Sequence, residues 1–90
     1  MKVVLTKKAE KMLHKLEEKT AKKILIYLHE VSGLEDPRSR GKALTGDLKS
    51  LWRYRVGDYR ILCLIEDEKI LITVVKIGHR REVYKSTTPT

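Results

Sequence analysis

The hydrophobic period changes once along the chain, and that change bounds the folds open to it. Between residues 9 and 31 apolar side chains recur at helical spacing: Ala9, Met12, Leu13 and Leu16, then Ala21, Ile24, Leu25, Leu28 and Val31. Stripes at i, i+3, i+4 and i+7 are the buried faces of amphipathic helices, and lysine and glutamate fill the opposite sides. From Leu51 onward the period is two. In "LWRYRV", Trp52, Tyr54 and Val56 leave one face of a strand, and Leu51, Arg53 and Arg55 leave the other. A helical block followed by a strand block predicts an α+β domain, with a helical hairpin packed on an antiparallel sheet.

Local signals place the ends of these elements. "KVVL" (residues 2–5) reads as a first strand, Thr6 as the cap of the first helix and Thr20 as the cap of the second, "AKKILIYLHEVS". Gly33 stops that helix, and the short link between the two implies an antiparallel pair. "GLEDPRSRGKALTGDLKS" is a polar connection punctuated by Gly33, Pro37, Gly41 and Gly46, with Leu44 and Leu48 expected to pin it to the core. Gly57–Asp58 then turns the chain into "YRILCLIE", and Asp67–Glu68 turns it into "KILITVVKIG". The expected order is β-α-α-β-β-β. Ninety residues cannot bury two cores, so residues 1–90 read as one domain, small enough to profit from a stabilising partner. The single cysteine, Cys63, lies in an apolar run and reads as a core residue of a reducing compartment. With no signal peptide and no apolar run near the ~20 residues that span a bilayer, the expected location is cytoplasmic, away from membranes.

Charge narrows the class of partner. The formal net charge is +8, from 20 basic and 12 acidic residues, which favours a polyanion such as nucleic acid, or an acidic protein. Five of the seven arginines (Arg53, Arg55, Arg60, Arg80 and Arg81) fall between residues 53 and 81. Arginine presents a planar fork of donors matched to phosphate, so this concentration is a sharper signal than the lysine-rich helices. Arg53 and Arg55 share a strand face, Arg60 lies just across the hairpin turn, and an antiparallel third strand brings "GHRREVY" (residues 78–84) back towards Arg60. Guanidiniums gathered this way repel one another unless an anion relieves them. The plainer alternative is a solvated sheet face, with Arg53 and Arg55 paired to Asp58 or Glu66. Trp52 and Tyr54 oppose the arginines and read as core rather than as base-stacking platforms. Tyr84 stands beyond the last strand. A phenol ordinarily titrates near 10, too high for an efficient base at neutral pH, but guanidinium neighbours stabilise phenolate. A tyrosine–arginine cluster is therefore competent for phosphodiester chemistry. His14 and His29 have no partner at metal-ligand spacing, and neither a metal nor a cofactor is expected.

The run "W-R-x-R-x-G-x-Y-R-I" (residues 52–61) and the ending "GHRREVY", together with the helical hairpin, carry a likeness over nearly the whole chain. The sequence resembles the RelE toxins of the RelE/ParE superfamily, the toxic halves of bacterial type II toxin–antitoxin pairs. The resemblance implies a metal-independent endoribonuclease, an mRNA interferase that cuts mRNA in the ribosomal A site, inhibits translation and is silenced by a cognate antitoxin. The family's catalytic positions fall on Arg53, Arg55, Arg60, Arg80 and Tyr84, and Arg81, His79 and Lys49 are further candidates for nucleic-acid contact. Two departures stand out. Arginine replaces the lysine that the best-known members carry on the first meander strand, which removes an easily deprotonated amine. Little or no helix is expected after Tyr84. The implied mechanism is attack of the ribose 2′-OH on the adjacent phosphate, with Tyr84 as base, Arg60 and Arg53 or Arg55 stabilising the transition state, and Arg80 assisting the leaving 5′-oxygen. The competing readings are a ParE-like DNA gyrase poison without nuclease activity, and a non-catalytic ribosome- or RNA-binding module.

Overall fold

The computed structural model describes residues 1–84; the expectation about a helix after Tyr84 lies outside them. Strand β1 (Lys2–Leu5) leads into helix α1 (Lys7–His14) through Thr6. Thr6 is extended, and its Oγ1 accepts a hydrogen bond from the Ala9 N–H at 3.1 Å, satisfying one of the helix's free amides. Helix α2 (Glu18–Ser32) starts earlier than expected. Thr20 lies inside its first turn, and Glu17 takes the flanking position without a side-chain cap bond. Carboxylates at Glu17 and Glu18 instead suit the positive end of the helix dipole. Gly33 closes α2, its N–H donating to Glu30 O at 3.1 Å.

Both helices press on one face of a sheet. Ala9 and Leu13 of α1 and Ile24, Leu28 and Val31 of α2 form a single buried cluster with Tyr54, Ile61, Cys63, Ile72, Val74 and Ile77. Leu25, expected on the buried side of α2, is 48% exposed. Tyr27 packs there instead, its ring edge-on to Tyr54 with centroids 5.8 Å apart. Burial raises the Tyr54 phenol far above its usual range, and its hydroxyl donates to Pro37 O at 2.6 Å.

The expected three-stranded meander is present as β3 (Trp52–Val56), β4 (Tyr59–Glu66) and β5 (Leu71–His79), antiparallel throughout. Two further pairings make the sheet five-stranded, in the order β1-β5-β4-β3-β2. A short β2 (Lys42–Ala43) lies antiparallel to β3. β1 runs parallel to β5, from Lys2 opposite Leu71 to Leu5 opposite Val74, so the sheet is mixed rather than wholly antiparallel. Parallel neighbours require a long crossover, and here the helices are part of it. The connection before β3 is held by polar contacts more than by Leu44 and Leu48, which are half-buried outside the core cluster. Trp52 Nε1 donates to Arg40 O at 2.8 Å, and Arg38 makes a bidentate pair with Asp67 at 2.9 and 3.0 Å. Gly41 passes so close beneath β3 that a Cβ would sit 2.3 Å from Arg53 O, and its φ is +82°. Only glycine fits both demands. Among the described residues, no helix is long and apolar enough to cross a membrane.

Candidate nucleic-acid interface

Strand alternation sorts the meander into two faces. Tyr54, Ile61, Cys63 and Ile77 turn to the helices. Their neighbours Arg53, Arg55, Arg60 and Leu62 therefore turn to the other side. The register sets these residues in two rows: Arg55 opposite Arg60 opposite Gly78, and Arg53 opposite Leu62 opposite Lys76. The expected convergence of the second strand's start with the third strand's end is met, because Arg60 pairs with Gly78 and Tyr59 with His79.

Lys76 owes its place in this layer to a bulge. Cys63 pairs with Val74 but Leu62 pairs with Lys76, leaving Val75 as the extra residue. Simple alternation from Ile72 and Val74 would have sent Lys76 into the helix-side core. The bulge sends Ile77 there and turns Lys76 to the arginine face. Lys76 is 3% exposed, and its Nζ has no hydrogen-bond partner among the described residues. Burial, and then the charge of Lys8, lower its pKa from the usual lysine value. Strict period-two reading missed this residue; the signal that could have found it was a lone lysine inside an otherwise apolar central strand.

The C-terminal turn comes back over the same face. Glu82 N and Val83 N both donate to His79 O at 2.9 Å, and Arg80 N donates to Asp58 O at 2.7 Å in the β3–β4 turn. The Arg80 guanidinium lies 3.8 Å from the Asp58 carboxylate. Arg60 donates through Nη1 to Gly57 O at 3.0 Å. Burial lowers the pKa of Arg60, and the nearby charges of Arg55, Arg53 and Arg80 lower it further, while Tyr84 acts in the opposite sense. Arg60 is thus the centre of a field made by Arg53, Arg55, Arg80 and Tyr84. The pairing of Arg53 or Arg55 with Asp58 or Glu66 is not what forms: Asp58 faces Arg80, and Glu66 bonds Lys69 at 3.1 Å. Arg53 Nε is buried with no hydrogen-bond partner among the described residues. A buried donor left this way costs about 1–3 kcal/mol, and an anion docking on this face would relieve it.

The other sequence candidates lie apart from this cluster. His79 pairs with Tyr59 on the helix side of the sheet, its ring 5.7 Å from the Tyr59 ring, and its Nδ1 accepts the Arg81 N–H at 3.2 Å. Arg81 itself is exposed on the turn. Lys49 precedes β3 and lines a shallow groove with Arg38, Trp52 and Ile65 at the strand's far end from Arg55. Among the described residues, no three His, Cys, Asp or Glu side chains converge as a metal site would need.

Comparison with known proteins gives concordant results. A family model described as the ParE toxin of type II toxin–antitoxin system, parDE, matches residues 3–84. A relative named Toxin RelE from Mycobacterium tuberculosis is 31% identical over 83 residues, 92% of this chain and 84% of that protein. Toxin RelG from the same organism is 29% identical over 92% of this chain and 94% of its own. Among solved structures, a chain of the toxin–antitoxin complex RelBE2 from Mycobacterium tuberculosis superposes with a TM-score of 0.78 at 28% identity, covering 89% of this chain and 91% of that one. A chain of the archaeal RelE–RelB complex from Pyrococcus horikoshii gives 0.70 at 26% identity, covering 91% and 97%.

Proposed function

The chain belongs to the RelE/ParE family of toxins from type II toxin–antitoxin systems, and from that premise we propose that it is a ribosome-dependent endoribonuclease of mRNA. The observation that carries the reading is the register that sets Arg60 between Arg55 and Gly78, beside the turn that bears Arg80 and Tyr84. A phosphodiester seated on this face meets guanidiniums from two strands and one turn. In the reaction, the ribose 2′-oxygen bonds to phosphorus, the P–O5′ bond breaks, and a 2′,3′-cyclic phosphate and a free 5′-OH are left. The Tyr84 oxygen takes the 2′-OH proton as its own passes to solvent, and water protonates the 5′-oxygen as it leaves. Arg60 and Arg53 hold the phosphoryl oxygens as negative charge builds on them, Arg55 anchors the backbone from the exposed row, and Arg80 steadies the departing 5′-oxygen. Four guanidiniums and one phenol are a poor acid–base pair, so the ribosome supplies attack geometry by gripping the message. The protein works in the cytoplasm without metal or cofactor.

Mapping message 5′ ends in a translating extract tests this. The parent protein should create new ends within translated codons, and Tyr84→Phe or Arg60→Ala should slow their appearance by about 100-fold or more. The match to a ParE family model favours a second reading, a poison of DNA gyrase. Intact message with inhibited supercoiling would establish that reading, and binding to ribosomes without either effect would mark a non-catalytic module. The partner is a cognate antitoxin, an acidic or amphipathic chain able to cover the arginine face. Complexes named RelBE2 and RelE–RelB among the structural relatives support that assignment. Co-purification with the product of the adjoining small reading frame at low salt is the expected result.

A further inference from the structure

Three of the site's positions are fixed by strands, but Arg80 and Tyr84 ride on a turn, and the turn needs something to lie on. Across from Arg60, β5 presents the bare Cα of Gly78. Val83 rests there: a Cβ built on Gly78 would stand 3.1 Å from Val83 Cβ and 3.3 Å from its Cα and Cγ2. Val83 is 1% exposed, yet it is no part of the helix-side core cluster. The backbone of Gly78 does not occupy the left-handed region, so its conformation makes no demand for glycine. What the position demands is empty space.

Backbone hydrogen bonds fasten the turn at both of its ends. Arg80 N is bound to the β3–β4 turn at Asp58 O, and the loop then closes on His79 O through Glu82 and Val83. Val83 is the one described residue of the turn that is fully buried. Tyr84 follows it directly, so the depth at which Val83 sits sets where the phenol stands relative to Arg60. We propose that Gly78 is a positioning residue of this site, its missing side chain forming the seat for Val83 and, through Val83, placing Tyr84. The inference rests on the nuclease reading above.

The test is a graded series measured in single-turnover cleavage of ribosome-bound message. Contacts of 3.1–3.3 Å mean that Gly78→Ala lifts Val83 by tenths of an ångström, and Gly78→Val lifts it further. A displacement of about 1 Å can cost ~100-fold in rate, so Gly78→Ala should lose roughly tenfold and Gly78→Val roughly 100-fold. The ribosome concentration giving half-maximal rate should stay within about twofold, because Arg55, which anchors the backbone, is untouched. Val83→Ala empties the seat without crowding it, should also lose roughly tenfold, and keeps the test alive if Gly78→Val does not fold. Amide exchange gives a readout independent of activity: Gly78→Val should expose the Arg80 and Val83 amides while β3 and β4 stay protected. Lost protection with an undiminished rate, or a loss seen only in half-saturation, overturns the positioning role. Retained protection with an undiminished rate overturns the seat itself. If the parent protein leaves message intact, the functional reading fails, and the exchange data still decide whether the seat exists.

Discussion

Replacing Lys76 with methionine should stabilise this protein, and more at neutral than at alkaline pH. Lys76 is 3% exposed, and its ammonium has no hydrogen-bond partner among the described residues. Leaving such a group unsatisfied costs about 1–3 kcal/mol. Methionine keeps the length and nearly the volume of the lysine stem, so the substitution opens no cavity. A gain of about 2 kcal/mol at roughly 5 °C per kcal/mol for a domain of this size raises Tm by about 10 °C. The pH dependence follows from linkage. Burial, then Lys8, depress the folded-state pKa below the usual 10.5, so between those two values the unfolded chain binds more protons and stability rises with pH. The burden of Lys76 is therefore complete below its folded pKa and fades as pH climbs through 10.5. Thermal melts by circular dichroism at pH 7 and pH 10.5, at matched ionic strength, should show a large advantage for Lys76→Met in the first and a small one in the second. A variant that melts below the parent, or whose advantage is the same at both pH values, would refute the idea that an unpaired buried charge sits here.

Tyr54→Phe should cost about 1–2 kcal/mol in chemical denaturation, because Pro37 O loses a buried 2.6 Å hydrogen bond; no loss would mean that the hydroxyl is dispensable. Gly41→Ala should be among the most damaging single changes, more than about 3 kcal/mol, since it sets a methyl against Arg53 O and forces a side chain into a left-handed backbone. A Gly41→Ala variant with a near-parental melt would contradict the close passage under β3. Burial pushes the Cys63 thiol up to about 12, so a thiol reagent at pH 8 should label the folded protein only at the rate at which it unfolds. Rapid labelling without denaturant would mean that the central strand opens locally.

The arginine row on β3 and β4 is legible in the sequence alone, because Trp52, Tyr54 and Val56 are bulky and apolar enough to say which face is inside. Gly57–Asp58 marks the turn without ambiguity, so Arg60 had to fall beside Arg55. Other features depend on information that no local pattern carries. β1 could be recognised as a strand, but its parallel place beside β5 depends on closure across nearly the full chain. β2 is two residues long and carries no alternation to detect. Leu25 fits the helical stripe, but the wider ring of Tyr27 fills the contact with Tyr54 and leaves the leucine outside. Lys76 shows the limit most clearly. A period of two is exact only while the ladder is regular, and one unpaired residue at Val75 reverses the face of everything after it. The seat at Gly78 was invisible for the opposite reason, since a glycine kept for its emptiness looks in a sequence like any other turn glycine.

The pairing of the first strand with the last has a consequence for biosynthesis. Among the described residues Lys2–Leu5 pairs with β5 and no other strand, so this strand must wait for residues 71–74 to be made before it can be joined. Arg60 likewise has no companion at Gly78, and Val83 no floor, until that strand arrives. Contacts so distant along the chain form slowly. A growing polypeptide of this kind carries these cations scattered until residues 71–84 have been made, and only then can the arginine field assemble.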